Sequence, residues 1–270
     1  MNNARIRLET SNEGVVRVRR TLAVRLKAEF RPGALRGVSR ALRRDAALFW
    51  SERAWSEYAA MPVMAQALRA GVAERVPLDD SAAVAGILQD EALHTELSRD
   101  VANTFHGYVE KVPAHLGFAP YELAVPLDLP LAHWLVAGGC VGETISRALI
   151  QARLRHTRVP WVRAVVMRTL KDENVHVAYS WAALKRVVSP LSRVQKKRLA
   201  EFCLPTVEGA FSSQCTGGLR GPARRQERGL RQRVADAGLG SCPPDEEDEV
   251  VRHVLERVIA PALQGVGLPL

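Results

Sequence analysis

Residues 170–181 read "LKDENVHVAYSW". Glu173 and His176 stand three apart, and Asp172 directly precedes the glutamate, all within a segment of helical periodicity. A single Glu-x-x-His decides nothing, because roughly half of one such match is expected by chance in a chain of this composition. A second copy lies at 88–97, "LQDEALHTEL", where Asp90 again precedes Glu91 and His94 follows three later. Requiring the aspartate lowers the chance expectation to about 0.02 per copy. The doublet therefore points to a built feature. A spacing of three puts glutamate and histidine on the same face of a helix.

Working outward, residues 41–189 read as four long helices. The first covers about 41–73. The second opens at "DDSAAV", where Asp80 or Ser81 can cap it, and runs to about 111. Prolines and a glycine in "VPAHLGFAPYELAVPLDLP" forbid helix between the second and third. The third covers about 129–156. Pro160 suits an early position in the fourth, about 159–188. Short turns join the first pair and the second pair, while the middle connection is long. This predicts an all-α fold, a four-helix bundle with one long crossover.

In such a bundle, a di-metal site takes a Glu-x-x-His from each of two helices and one glutamate from each of the others. The third helix offers Glu143, on a stripe through Val136, Cys140 and Ile150. The first offers Glu57, on a stripe with Trp50, Ala54, Met64 and Leu68, with Glu52 as the alternative. Glu57, Glu91, Glu143 and Glu173 fall near the centres of their helices and so at one level. Four buried carboxylates and two imidazoles at one level repel one another unless a cation neutralises them. The candidate ligands are thus Glu57, Glu91, His94, Glu143, Glu173 and His176. Hard oxygen and borderline nitrogen donors suit two iron ions, or manganese or a mixed pair. Asp90 and Asp172 are candidates to orient the histidines, each across the centre. Pro62, one turn past Glu57, is expected to bend the first helix.

The 270 residues carry a net charge of +9. About +9 of this falls in residues 1–44, against about −2 in 45–190 and about +2 in 191–270. The expected organisation is a basic N-terminal arm (1–44), a bundle (45–190) and a C-terminal helical extension (191–270) packing on the bundle. In that extension, helices are expected at about 191–211 and over "DEEDEVVRHVLERVIAPAL", separated by a polar, Gly/Arg-rich stretch. The arm makes nucleic acid a possible partner. No apolar run reaches the length of a membrane span, and the first residues lack the apolar core of a secretory signal. Four scattered cysteines form no Cys-x-x-Cys, which fits reduced thiols in the cytoplasm and argues against a zinc ribbon.

The two Asp-Glu-x-x-His motifs, with "CVGETISRALI" and "DENVHVAYSWAAL", resemble the ferritin-like di-iron carboxylate superfamily, and most closely a branch of uncharacterised bacterial ferritin-like domain proteins. The resemblance covers about 41–189. It implies a cytoplasmic di-iron oxidoreductase that activates dioxygen or peroxide, acts on a small-molecule substrate and draws on an electron-donor protein, with two alternative readings. One is an iron-oxidising or peroxide-removing ferritin-like protein; the other is a tRNA-hydroxylase-like protein using the arm. A homo-oligomer is compatible with each. The p-aminobenzoate N-oxygenase type has a third histidine one turn before the last motif, where this chain has Thr169.

Overall fold

Ser39 stands in extended conformation, and its hydroxyl accepts the amide of Leu42 at 3.2 Å, satisfying one of the free amides at the start of a long helix. That helix, α1, runs Arg40–Ala73 and continues through Pro62. The computed structural model describes residues 35–110, 129–216 and 221–269, and among them the chain is helical with no strand. Residues 1–34, most of the basic arm, lie outside the described residues; Arg40, Arg43 and Arg44 belong to α1.

Helix α2 runs Leu78–Phe105. It starts before the expected caps, so Asp79 and Asp80 occupy its first turn, where their charge suits the positive end of the helix dipole. It stops short of residue 111. His106 leaves the helix, and Gly107 follows at φ +121°, a region that side chains other than glycine rarely adopt. The long connection at 111–128 lies outside the described residues.

The third rod is not the uniform α-helix the sequence suggests. It consists of α3 (Pro130–Trp134), a π-helical stretch π1 (Leu135–Gly142) and α4 (Glu143–His156). Periodicity could not distinguish this widened turn from ordinary helix. The wider turns end where Glu143 begins, and such stretches are frequent at functional sites. Gly139 permits close approach to the last rod, because a Cβ there would stand 2.6 Å from Ser180 Oγ. Helix α5 runs Pro160–Val188, opening on the proline as expected.

α1 packs along α2, α4 and π1 pack along α5, and contacts between α2 and α5 close the arrangement. Two apolar clusters form the core. One contains Met64, Ile87, Trp134 and Leu184, and the other contains Phe49, Leu97, Trp161 and Val165. On α1, α2 and α5 the acidic positions singled out above fall between these clusters. No described helix is long and apolar enough to cross a membrane.

The remaining helices are α6 (Arg193–Thr216), α7 (Gly221–Asp236), α8 (Pro244–Val254), a π-helical turn π2 (Leu255–Ile259) and α9 (Ala260–Gly265). α7 lies within the polar, Gly/Arg-rich stretch between the two expected helices. Its arginines find partners on α1 and α8, which composition alone did not reveal. α7 packs on α1, and α8 on α4 and α6. The loop after α7 is pinned to the core: Trp50 Nε1 donates to the carbonyl of Leu239 at 2.8 Å. Gly240, at φ +114°, leaves no room for a Cβ against the Trp50 ring.

Candidate metal centre

Helical spacing carries the six candidate ligands inward from four rods. Glu57 comes from α1, Glu91 and His94 from α2, Glu143 from the start of α4, and Glu173 and His176 from α5. All six are buried, with Glu57 and Glu143 the most exposed at 6%. Their donor atoms form two overlapping groups. Glu57, Glu91, His94 and Glu173 each offer an atom within 4.8 Å of the others, and so do Glu91, Glu143, Glu173 and His176. Glu91 and Glu173 belong to both groups. Glu52, the alternative on α1, belongs to neither and instead pairs with Arg231 of α7 at 2.5 Å.

The spacing suits a cation better than hydrogen bonds. His176 Nδ1 is 3.6 Å from both Glu91 Oε1 and Glu143 Oε2, and His94 Nδ1 is 3.8 Å from Glu57 Oε2. These distances are too long for hydrogen bonds. Donors held about 2.1 Å from one ion lie roughly 3–4 Å from each other. Consistently, Glu91 Oε1, His94 Nδ1, Glu173 Oε2 and His176 Nδ1 are buried without a hydrogen-bond partner. Leaving one such group unsatisfied costs about 1–3 kcal/mol, so four converging on one place are a set that could hold a cation.

The opposite ring nitrogens face the motif aspartates, crosswise. His94 Nε2 lies 3.1 Å from Asp172 Oδ2, and His176 Nε2 lies 3.4 Å from Asp90 Oδ2. Each motif thus supplies the aspartate for the other motif's histidine. A proton on Nε2, held by the carboxylate, leaves the Nδ1 lone pair facing the centre. Asp172→Asn is accordingly expected to weaken metal binding by about 10–100-fold while the fold persists. Metal titration alongside far-ultraviolet circular dichroism checks both; unchanged affinity would remove the orienting role.

Burial, and then the neighbouring charges of Glu143 and Glu57, push the Glu91 carboxyl well above its ordinary range. Burial and Glu143 do the same to Glu173. For Glu57, burial pulls upward, but Arg53 and His94 outweigh it and hold the carboxyl below its usual value. Burial alone would lower His176, yet the hydrogen bond to Asp90 and the neighbouring negative charge of Glu143 raise it to about 9. His176, raised to about 9, holds a proton at neutral pH and must release it to bind a cation, and the raised Glu91 and Glu173 carboxyls keep theirs to higher pH than ordinary carboxylates. Metal uptake near pH 7 is therefore expected to release protons and to weaken as pH falls. Calorimetry in two buffers of different ionisation heat checks this, since equal apparent heats would mean no release.

Sequence reasoning did not find the surrounding partners. Arg53 closes an ion pair on Glu57, and Arg168 reaches Asp172 Oδ1 at 2.7 Å. Both arginines stand four residues before their acids, a spacing that carried the signal. Ser146 Oγ lies 3.4 Å from Glu173 Oε1. The nearby aromatic residues are held elsewhere: Trp181 donates to Thr144 Oγ1 at 3.1 Å, and Tyr179 to the Asp80 carbonyl at 3.2 Å. Neither a protein-family model nor a curated protein matches this chain.

Proposed function

We propose that this chain is a ferritin-like, non-haem di-iron oxidoreductase. The observation that carries the reading is the pair of overlapping buried donor groups that share Glu91 and Glu173. Glu57 and His94 would complete one metal position, and Glu143 and His176 the other. Four carboxylates balance the charge of two divalent ions, and their hard oxygens suit iron or manganese. When bound, such a pair supplies redox chemistry toward dioxygen or peroxide.

The chain's own residues prepare the place. Asp172 and Asp90 hold the imidazole Nε2 atoms and so fix which nitrogen faces inward. The apolar clusters on either side keep bulk water away and strengthen electrostatic interactions at the centre. Ser146 supports the Glu173 oxygen directed away from the unpartnered one. The substrate would be a small molecule, with electrons coming from a separate donor protein.

The test is anaerobic loading with iron(II), elemental analysis, and then admission of air or peroxide while absorbance and oxygen uptake are followed. About two irons per chain, oxidised on exposure, is the expected outcome. No bound metal after reconstitution would leave the six residues as a polar core and overturn the reading.

A further inference from the structure

The two halves of the centre differ in their charged surroundings. Arg53, one turn before Glu57, pairs with its Oε1, leaving Oε2 toward His94. Among the described residues no arginine or lysine pairs with Glu143, whose ion-pair contact is His176 at 3.6 Å. A second arginine leans on the Glu57 half from further out. Arg168 holds Asp172 Oδ1 at 2.7 Å while Asp172 Oδ2 faces His94 at 3.1 Å.

The surrounding space differs as well. A small hollow with room for about one water molecule opens on the Glu57 side. Its walls include Phe49, Trp50, Arg53, Glu57, Arg153 and Thr169, but neither Glu143 nor His176. Arg53 and Glu57 therefore border the same space.

A guanidinium paired with one oxygen of a carboxylate draws charge from the other and repels a cation bound there. At an effective dielectric near 20, two like charges about 5 Å apart shift a binding constant by well over tenfold. Partial exposure of Arg53, at 19% of its side chain, reduces this effect without abolishing it. Arg168 acts in the same direction by drawing charge from the aspartate that raises the basicity of His94.

Building on the di-metal reading, we propose that the two positions are inequivalent. The Glu143–His176 position fills first and holds its ion tightly. The Glu57–His94 position, bordering the hollow, is the weaker and exchangeable one, and Arg53 sets that weakness.

Titrating the metal-free full chain with cobalt(II), followed by calorimetry and visible absorption, tests this. Two steps about tenfold or more apart are expected. Glu57→Gln should remove the weaker step and Glu143→Gln the tighter one. Arg53→Gln should tighten the weaker step by about tenfold, leaving the other in place. Arg168→Gln should shift that step the same way and serves as the independent variant should Arg53→Gln not fold. Coincident steps in the natural chain would overturn the proposal. So would loss of the tighter step in Glu57→Gln, or an unmoved weaker step in the folded arginine variants. Absence of any cobalt binding would instead overturn the di-metal reading beneath it.

Discussion

Replacing Glu91 or Glu173 by alanine is expected to abolish loading of both metal ions, whereas Glu57→Ala or Glu143→Ala should leave about one ion per chain. The difference follows from how the donor atoms are shared. Glu91 and Glu173 each stand in both four-residue groups, while Glu57 and Glu143 each stand in one. Elemental analysis after dialysis against a weak chelator reads the outcome, and loss of only one ion in Glu173→Ala would dismiss the shared role.

A second readout separates a metal centre from a polar core. In the metal-free chain Glu91 and Glu173 are buried beside other acids, and their carboxyls are pushed well above the usual range. Removing either relieves repulsion and desolvation. The metal-free variants should therefore melt no lower than the metal-free natural chain. A melting temperature lowered by roughly 5 °C or more would instead indicate a role in holding the core together.

Glu247→Ala should give the largest loss of stability, about 3–5 kcal/mol. Glu247 opens α8 and accepts from Arg153 Nε at 3.2 Å and Nη2 at 3.1 Å. It also faces Arg231 Nη1 at 3.4 Å, and Arg231 in turn binds Glu52 and Glu227. Arg153 and Glu247 are both buried. Deleting the acid would leave a guanidinium in the interior without its principal partner, and that desolvation is what makes the loss large. Arg233→Ala, which breaks an exposed pair with Asp45, should cost less than about 1 kcal/mol.

Urea unfolding of the two variants measures both effects, and equal midpoints would show the buried network to be dispensable. The pH dependence has a definite sign. Burial tends to raise Glu247, but Arg231 and Arg153 overcome it and hold its carboxyl below the usual value. Its contribution is then full above the unfolded carboxylate pKa and lost as pH falls through the lower folded value. The gap between natural chain and Glu247→Ala should accordingly narrow in acid.

The same network explains why Glu52 and Glu57 could not be separated by inspection of α1. Both have apolar neighbours at helical spacing. Arg231, 179 residues further along, pairs with Glu52, while Arg53 and the facing helices surround Glu57. The helix within the polar, Gly/Arg-rich stretch was not legible for a related reason. α7 is rich in charge, and its partners lie on α1 and α8, outside any local window. Pro160 and the acidic start of α8 were legible because preferences at helix starts act within one turn.

By itself, the sequence determined the all-helical class and the inward pairing of Glu91 with His94 and of Glu173 with His176. Three residues along a helix span most of one turn, so that pairing follows from backbone geometry alone. Only the tertiary structure decided the choice of Glu57, the sharing of Glu91 and Glu173, and the crosswise match of Asp172 to His94 and Asp90 to His176. These are relations between separate helices. Their register and rotation are set by packing across the core, and the order of residues along one helix does not contain them.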